Sequence, residues 1–286
     1  MSEKSLDTLV QDIYGVFDGK VTVSEKDADA FGRAVSRIIS ERIGERGEAP
    51  YLRLSNLGTK CDRKLWYTLR TPEVAEPLEP HTRLKFLIGD LWEAVLLFLA
   101  KVAGHKVEGE QDEVSVHGVK GHRDAVIDGT IVDVKSASTF AFDKFKAGLT
   151  PEKDDFGYLT QIDAYLETAQ TDPLVQNKDE AAFLVGDKVL GHLTVDKHPR
   201  QGVDYEELVK KKREMLEQPT PPPRGFSDVP DGKSGNRKLG TYCSYCQFKE
   251  TCWPGLKTYA YAGKPRHLTK VVREPKVPLS DGEGPF

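Results

Sequence analysis

The chain has 286 residues, 38% of them hydrophobic and 30% charged, with a formal net charge of -4 and a mean hydropathy of -0.49. That is enough for one good-sized core with an appendage, or for two small domains, and too polar for a membrane-embedded protein. The longest apolar run, Ala94 to Ala100, falls far short of a bilayer span, and the opening MSEKSLDTLV lacks the basic and apolar regions of a signal peptide.

In chain order, residues 24–46 predict an amphipathic helix: Ser24 and Asp27 suit a capping box, and Phe31, Val35, Ile38, Ile39 and Ile43 share a face. A second helix is expected from about Ser55 in SNLGTKCDRKLWY. A third, Leu84 to Ala103, is apolar almost all round and is expected to be buried. Strands follow at about 112–117, 122–127 and 130–136, then a helix at 155–169 and a hairpin over AAFLVGDKVLGHLTV. A last helix, 204–217, opens on Asp204 and Glu207 in capping positions.

Residues 219–240, rich in Pro, Gly, Ser and Asp, read as a linker or long loop. Beyond them a cysteine-bearing module is expected over 241–274 and a flexible tail over 275–286. With 1–50 as an N-terminal helical region and 51–218 as the core, mixed strands and helices predict an α/β or α+β fold. From Lys233 to Lys276 ten basic residues face two acidic ones, a net +8 inside an acidic chain. Such segregation suits a phosphate-contacting surface, with a solvated tail as the equal competitor.

Asp128-Gly129 signals a two-residue hairpin turn. Centring the turn there pairs Ile127 with Thr130 and sets Asp124 opposite Asp133. Alternation then puts Asp124, Val126, Ile131, Asp133 and Lys135 on one face and Ala125, Ile127, Val132 and Val134 on the other, toward a core. Like charges opposed across a sheet, with Cβ atoms roughly 4.5–5.5 Å apart, destabilise it. Two carboxylates there ask for a cation, and hard oxygen ligands suit Mg2+ or Mn2+, with Lys135 standing beside it.

The competing reading is a solvated acid pair on an exposed face. The short pattern also occurs at Asp62-Arg63-Lys64 and in Pro230-Asp231-Gly232-Lys233, but neither lies on a hairpin with a second acid opposite. Glu93, among Leu91, Trp92, Val95, Leu96 and Leu97, needs solvent, a proton or a positive partner, and Asp90 is a weaker candidate for its role. Gln161 and Tyr165, four apart on YLTQIDAYL with Tyr158 a turn before, share a helix face.

Gly89 with Glu93 on a helix, Gly121 with Asp124 on a strand, Asp133 with Lys135 on the next, and Gln161 with Tyr165 on a following helix form an ordered set. This set resembles the RecB-like branch of the PD-(D/E)XK nuclease family, over about residues 50–255. The resemblance implies a restriction-endonuclease-like core, a mixed central sheet flanked by helices, with a small C-terminal Cys-rich metal-cluster module. It implies that Glu93, Asp124, Asp133 and the Val134 carbonyl bind Mg2+ or Mn2+ and that Lys135 activates or orients the attacking water. Gln161 and Tyr165 would position the substrate strand. The chain departs from many relatives in carrying Glu93 where they carry His.

In a reducing cytoplasm (the host's, if a virus encodes the protein) four cysteines read as metal ligands or free thiols rather than disulfides. Early Cys61 and the later trio Cys243, Cys246 and Cys252 resemble the iron–sulfur CRISPR-associated exonucleases and the AddB nuclease domain. That likeness implies a 4Fe–4S cluster on the four thiolates, with Zn2+ as the alternative, closing a loop of about 190 residues. Lys64, Trp66, Tyr67, Tyr242, Tyr245 and Trp253 interleave basic and aromatic groups there, for packing or for stacking unpaired bases.

The resemblance implies a metal-dependent deoxyribonuclease, a single-strand exonuclease acting in recombination, repair or DNA-fragment capture. Its partners would be DNA ends and recombination or helicase proteins, with no membrane and a cytoplasmic location. The alternatives are a structure-specific endonuclease on the same core and a non-catalytic nucleic-acid-binding protein with a four-cysteine module.

Overall fold

A computed structural model of the chain describes residues 4–43, 50–261 and 264–280. Helix α1 (Leu6–Gly15) buries Leu6, Leu9 and Ile13, which recur at helical spacing. Helix α2 (Glu25–Ile43) starts at Ser24, whose Oγ accepts the Asp27 N–H at 3.1 Å. Residues 44–46 of the expected helix lie outside the described residues. Its apolar stripe is covered only in part: Phe31 stacks on Phe98 with ring centroids 4.5 Å apart, while Ile43 is 78% exposed.

The helix expected from Ser55 is two, a single turn α3 (Leu54–Leu57) and α4 (Asp62–Arg70), parted at Gly58. Helix α5 (Pro80–Val102) begins on proline, whose missing N–H costs nothing in a first turn. It is not buried all round as expected. Leu96, Leu97 and Ala100 pack against the sheet, while Leu84, Phe86 and Ile88 on the preceding turns are exposed, because only the C-terminal half of the helix reaches the core.

Strand β1 (Val107–Glu108) precedes a hairpin of β2 (Glu113–Val116) and β3 (Val119–His122). The expected strand at 122–127 is split, since β4 (Ala125–Ile127) starts only after Arg123 and Asp124. It turns at Asp128-Gly129, both with positive φ, into β5 (Thr130–Ala137), pairing Ile127 with Thr130 and Ala125 with Val132. Then come α6 (Thr139–Lys146), which the sequence pattern did not announce, α7 (Tyr158–Thr168), β6 (Glu180–Asp187), β7 (Leu193–Pro199) and α8 (Tyr205–Glu217).

The fold is α+β, with a mixed five-stranded sheet in the order β1-β4-β5-β6-β7 flanked by helices. β5 and β6 run parallel; the other neighbours are antiparallel. Ala125, Ile127, Val132 and Val134 pack on one face with residues of α1 and α5. Val126 and Ile131 pack on the other with Phe142 and Phe145 of α6 and Leu159 and Ile162 of α7. The face that bears Asp133 is therefore covered too, and Asp133 is 1% exposed, which removes the solvated-face reading for this residue.

By its internal contacts the chain divides into two units, Met1–Gly58 with Glu79–Lys210, and Thr59–Leu78 with Lys211–Phe286. The five-stranded sheet belongs to the first. The second adds β8 (Val229–Pro230), β9 (Arg237–Lys238), single turns α9 (Thr241–Ser244) and α10 (Lys249–Cys252), β10 (Lys257–Tyr261) and β11 (Lys264–Lys270). Its four strands form a sheet in the order β10-β11-β9-β8.

The segment read as a linker thus contributes two strands, and buried Asn236 ties it down by accepting the Val272 and Arg273 N–H groups. As far as Ser280, the segment read as a flexible tail pairs with edge strand β10: Ala260 N–H donates to Pro278 O at 3.0 Å and Ser280 N–H to Thr258 O at 2.8 Å. Backbone groups left open on an edge find partners there. Among the described residues no helix is long and apolar enough to cross a membrane.

Candidate active site and cysteine cluster

The break between β3 and β4 releases Asp124 from the ladder. Its Oδ2 accepts the Val134 N–H at 2.7 Å, replacing a backbone partner. Gln111, left-handed at φ 57°, donates its N–H to the Asp124 carbonyl oxygen at 3.2 Å and its side-chain amide to Glu93 Oε1 at 2.7 Å. One residue thereby ties α5 to the end of β4. Sequence reasoning missed it, because a non-glycine in the left-handed region leaves no mark beyond the polar run EGEQDE.

On β5, Lys135 Nζ lies 2.5 Å from Asp133 Oδ2. The ammonium is the partner of this buried oxygen. The other oxygen, Oδ1, accepts Gln161 Nε2 at 3.2 Å. Lys135 also stands 4.9 Å from the ring centroid of Tyr158. Tyr165 donates its hydroxyl to the His122 carbonyl oxygen at 2.9 Å. Asp90, the weaker candidate, is engaged elsewhere, with Arg42 Nη2 2.6 Å from its Oδ1.

Helix α7 is aimed by a device that pattern reading also missed. Buried Asp154 accepts the N–H groups of Phe156, Gly157, Tyr158 and Leu159 at 2.8–3.2 Å, capping the first turn. Gly157, at φ 82°, lies against Gly58: a Cβ on it would stand 2.0 Å from the Gly58 carbonyl oxygen. The sequence signal was an aspartate just ahead of the helix, further from it than a simple cap stands.

Burial, then the charges of Asp133 and Glu93, raise the Asp124 carboxyl well above the ordinary range. Glu93 is pushed up to about 7, by burial first, with Asp133 and Asp90 adding and the Gln111 hydrogen bond opposing. Burial favours a neutral Lys135, but Asp133 and Asp124 together outweigh it and hold the ammonium above its usual range. Three carboxylates therefore press on one another around a single ammonium.

That deficit of positive charge is what a divalent cation relieves. The donor set fits Mg2+ or Mn2+. Among the described residues, no three His, Cys, Asp or Glu side chains already stand as a ready ligand group. Lys135, the Gln111 amide and the Val134 N–H engage oxygens of Asp133, Glu93 and Asp124.

In the second unit Cys61, Cys243, Cys246 and Cys252 are free thiols that line one small cavity with Arg63, Lys64, Tyr67, Tyr242, Phe248, Lys249 and Trp253. Burial, then the neighbouring thiols Cys246, Cys61 and Cys252, push Cys243 up to about 11. Burial likewise raises Cys246, against the Phe248 backbone hydrogen bond and Lys64. Beneath them Trp66, Tyr67 and Phe248 form a small buried core of their own. Lys64 Nζ lies 5.3 Å from the Tyr242 ring centroid, and the Arg224 guanidinium carbon 4.0 Å from a ring centroid of Trp253. Tyr245 is 70% exposed.

No family model matches the chain, and no curated protein matches it. Among solved structures it is similar to one described as "Crystal structure of SSO0001", at 15% identity and a TM-score of 0.42, covering 77% of this chain and 95% of that one. So distant a likeness carries no functional argument.

Proposed function

We propose that this protein is a metal-dependent deoxyribonuclease, an exonuclease hydrolysing phosphodiester bonds at single-stranded DNA ends in recombination, repair or DNA-fragment capture. The observation that carries the reading is the mutual pressure of Glu93, Asp124 and Asp133 around Lys135 on the central strand of a covered sheet. A core has no structural use for such a set, which costs stability unless a cation joins it.

Glu93, Asp124, Asp133 and the Val134 carbonyl would hold Mg2+ or Mn2+. When bound, the cation supplies Lewis acidity, acidifying water and neutralising charge that grows on the phosphate. Lys135, beside Asp133, would activate or orient the attacking water and present positive charge toward the scissile phosphate. Gln161 holds Asp133 in place with an amide N–H and would help position the substrate strand. Tyr165 anchors α7 to the His122 backbone.

In the second unit the four thiols would hold a 4Fe–4S cluster. They line one small cavity together. The preference for a cluster rests on the family resemblance, and Zn2+ on the same four thiolates is the alternative. Recombination or helicase proteins would be the partners.

The test is cleavage of an end-labelled single-stranded oligonucleotide in Mn2+ by the wild type, Asp133→Ala and Lys135→Ala. Both variants are expected to lose about a thousandfold in rate. Equal cleavage by all three proteins removes the assignment, and efficient cutting of a closed single-stranded circle replaces the exonuclease with an endonuclease.

A further inference from the structure

We propose that Phe156 and Phe140 form a stacking rim that holds the unpaired bases of a single strand beside the Lys135 site. Both rings stand in water, Phe156 59% and Phe140 77% exposed, whereas Phe142 and Phe145 on the same helix as Phe140 are buried. They are linked to the site by a continuous series of contacts. Lys135 Nζ lies 4.9 Å from the Tyr158 ring centroid, and Tyr158 lies 5.5 Å from Phe156 at an interplanar angle of 35°. Lys144 joins the second ring: its Nζ is 5.5 Å from the Phe140 centroid and 2.8 Å from Asp155, the residue before Phe156.

Leaving a phenylalanine side chain in water forgoes the free energy of its burial, so two on one rim call for an occupant. Lys144 is matched on this rim by Asp155, and a further lysine stands unmatched by that pair. This is exposed Lys188, which belongs to the rim because its backbone N–H bonds the Ala137 carbonyl oxygen at the end of β5, just before Phe140. An occupant with flat apolar faces and regular negative charge matches both features, and unpaired nucleotides have both. Bases inside a duplex are stacked on each other and offer these rings no face. The inference rests on the proposed hydrolase site for bringing a strand to Lys135, and it adds which residues grip that strand.

The test is fluorescence anisotropy of a labelled 15-mer of thymidine, and of a blunt duplex, in EDTA so that binding is read without cleavage. Phe140→Ala with Phe156→Ala is expected to weaken single-strand binding at least about tenfold and to move duplex binding less than twofold. Phe156→Tyr keeps the affinity and Phe156→Leu, equally apolar but not aromatic, loses it. Unchanged single-strand affinity in the double alanine variant overturns the rim. So does a wild type that binds no single strand, or a double variant whose only change is in oligomeric state. A wild type that binds through the rings yet cleaves nothing in Mn2+ leaves this inference standing and removes the hydrolase; one that cleaves while the rings prove irrelevant does the reverse.

Discussion

Asp124 has two attachments, a carbonyl that accepts from Gln111 and a carboxylate that accepts from Val134. The second could be served by a neutral amide, whereas the negative charge there is opposed by Asp133 and Glu93. Asp124→Asn is therefore expected to raise stability in EDTA by about 1 kcal/mol while abolishing cleavage. With Mn2+ the order reverses, because ion binding stabilises the wild type and little of it remains in the variant. Thermal melts of both proteins with and without the ion check this; a variant that is less stable in EDTA would make Asp124 a structural acceptor only. Asp124, Asp133 and Lys135 were legible because turn chemistry at Asp128-Gly129 sets the register and alternation assigns the face. What the register could not show is that β4 stops one residue short of Asp124, so that the acid bonds the neighbouring strand's backbone instead of lying in the ladder.

Among the elements, α7 depends most on a single side chain. Asp154 accepts the helix's first two N–H groups, those of Tyr158 and Leu159, and those of Phe156 and Gly157 just ahead of it, and the helix carries Gln161 and Tyr165. Asp154→Ala is expected to cost about 2 kcal/mol in urea unfolding, the upper end for a lost cap, and to lower cleavage as Gln161 drifts from Asp133. A change under about 0.5 kcal/mol, the usual size for an unremarkable surface substitution, would mean that Gly157 against Gly58 sets the helix start without the cap. Helices α2 and α8 and the β6–β7 hairpin were readable from caps and alternation. Helix α6 was not: TFAFDKFK is short and aromatic, with little intrinsic helix preference, and it is held by burial of Phe142 and Phe145. The all-round apolar character of α5 misled in the other direction, since hydrophobicity alone does not say how far along a helix its neighbours extend.

For the molecule as a whole, the α+β class and the position of the cysteines late in the chain were legible, but the true division was not. Proline, glycine and serine between 219 and 240 look like a linker, yet that stretch is bound by Asn236 and paired strands, while a piece as early as Thr59–Leu78 belongs to the second unit. If the four thiols hold an iron–sulfur cluster, anaerobically purified protein contains about four iron atoms per chain and absorbs broadly in the visible, and Cys243→Ser loses both. Zinc in a colourless preparation would select the single-ion alternative.

The discontinuous second unit also sets an order of events during synthesis. Trp66 and Tyr67 leave the ribosome long before Phe248, the ring they are buried with, and Trp66 waits nearly as long for the Gln218 carbonyl that accepts its indole N–H. At ordinary translation speeds that interval is on the order of ten to thirty seconds. During it an oily segment waits uncovered within a chain whose first unit can already close. A nascent chain halted near residue 210 should therefore recruit a holdase to residues 59–78, and release it once the final cysteines have emerged.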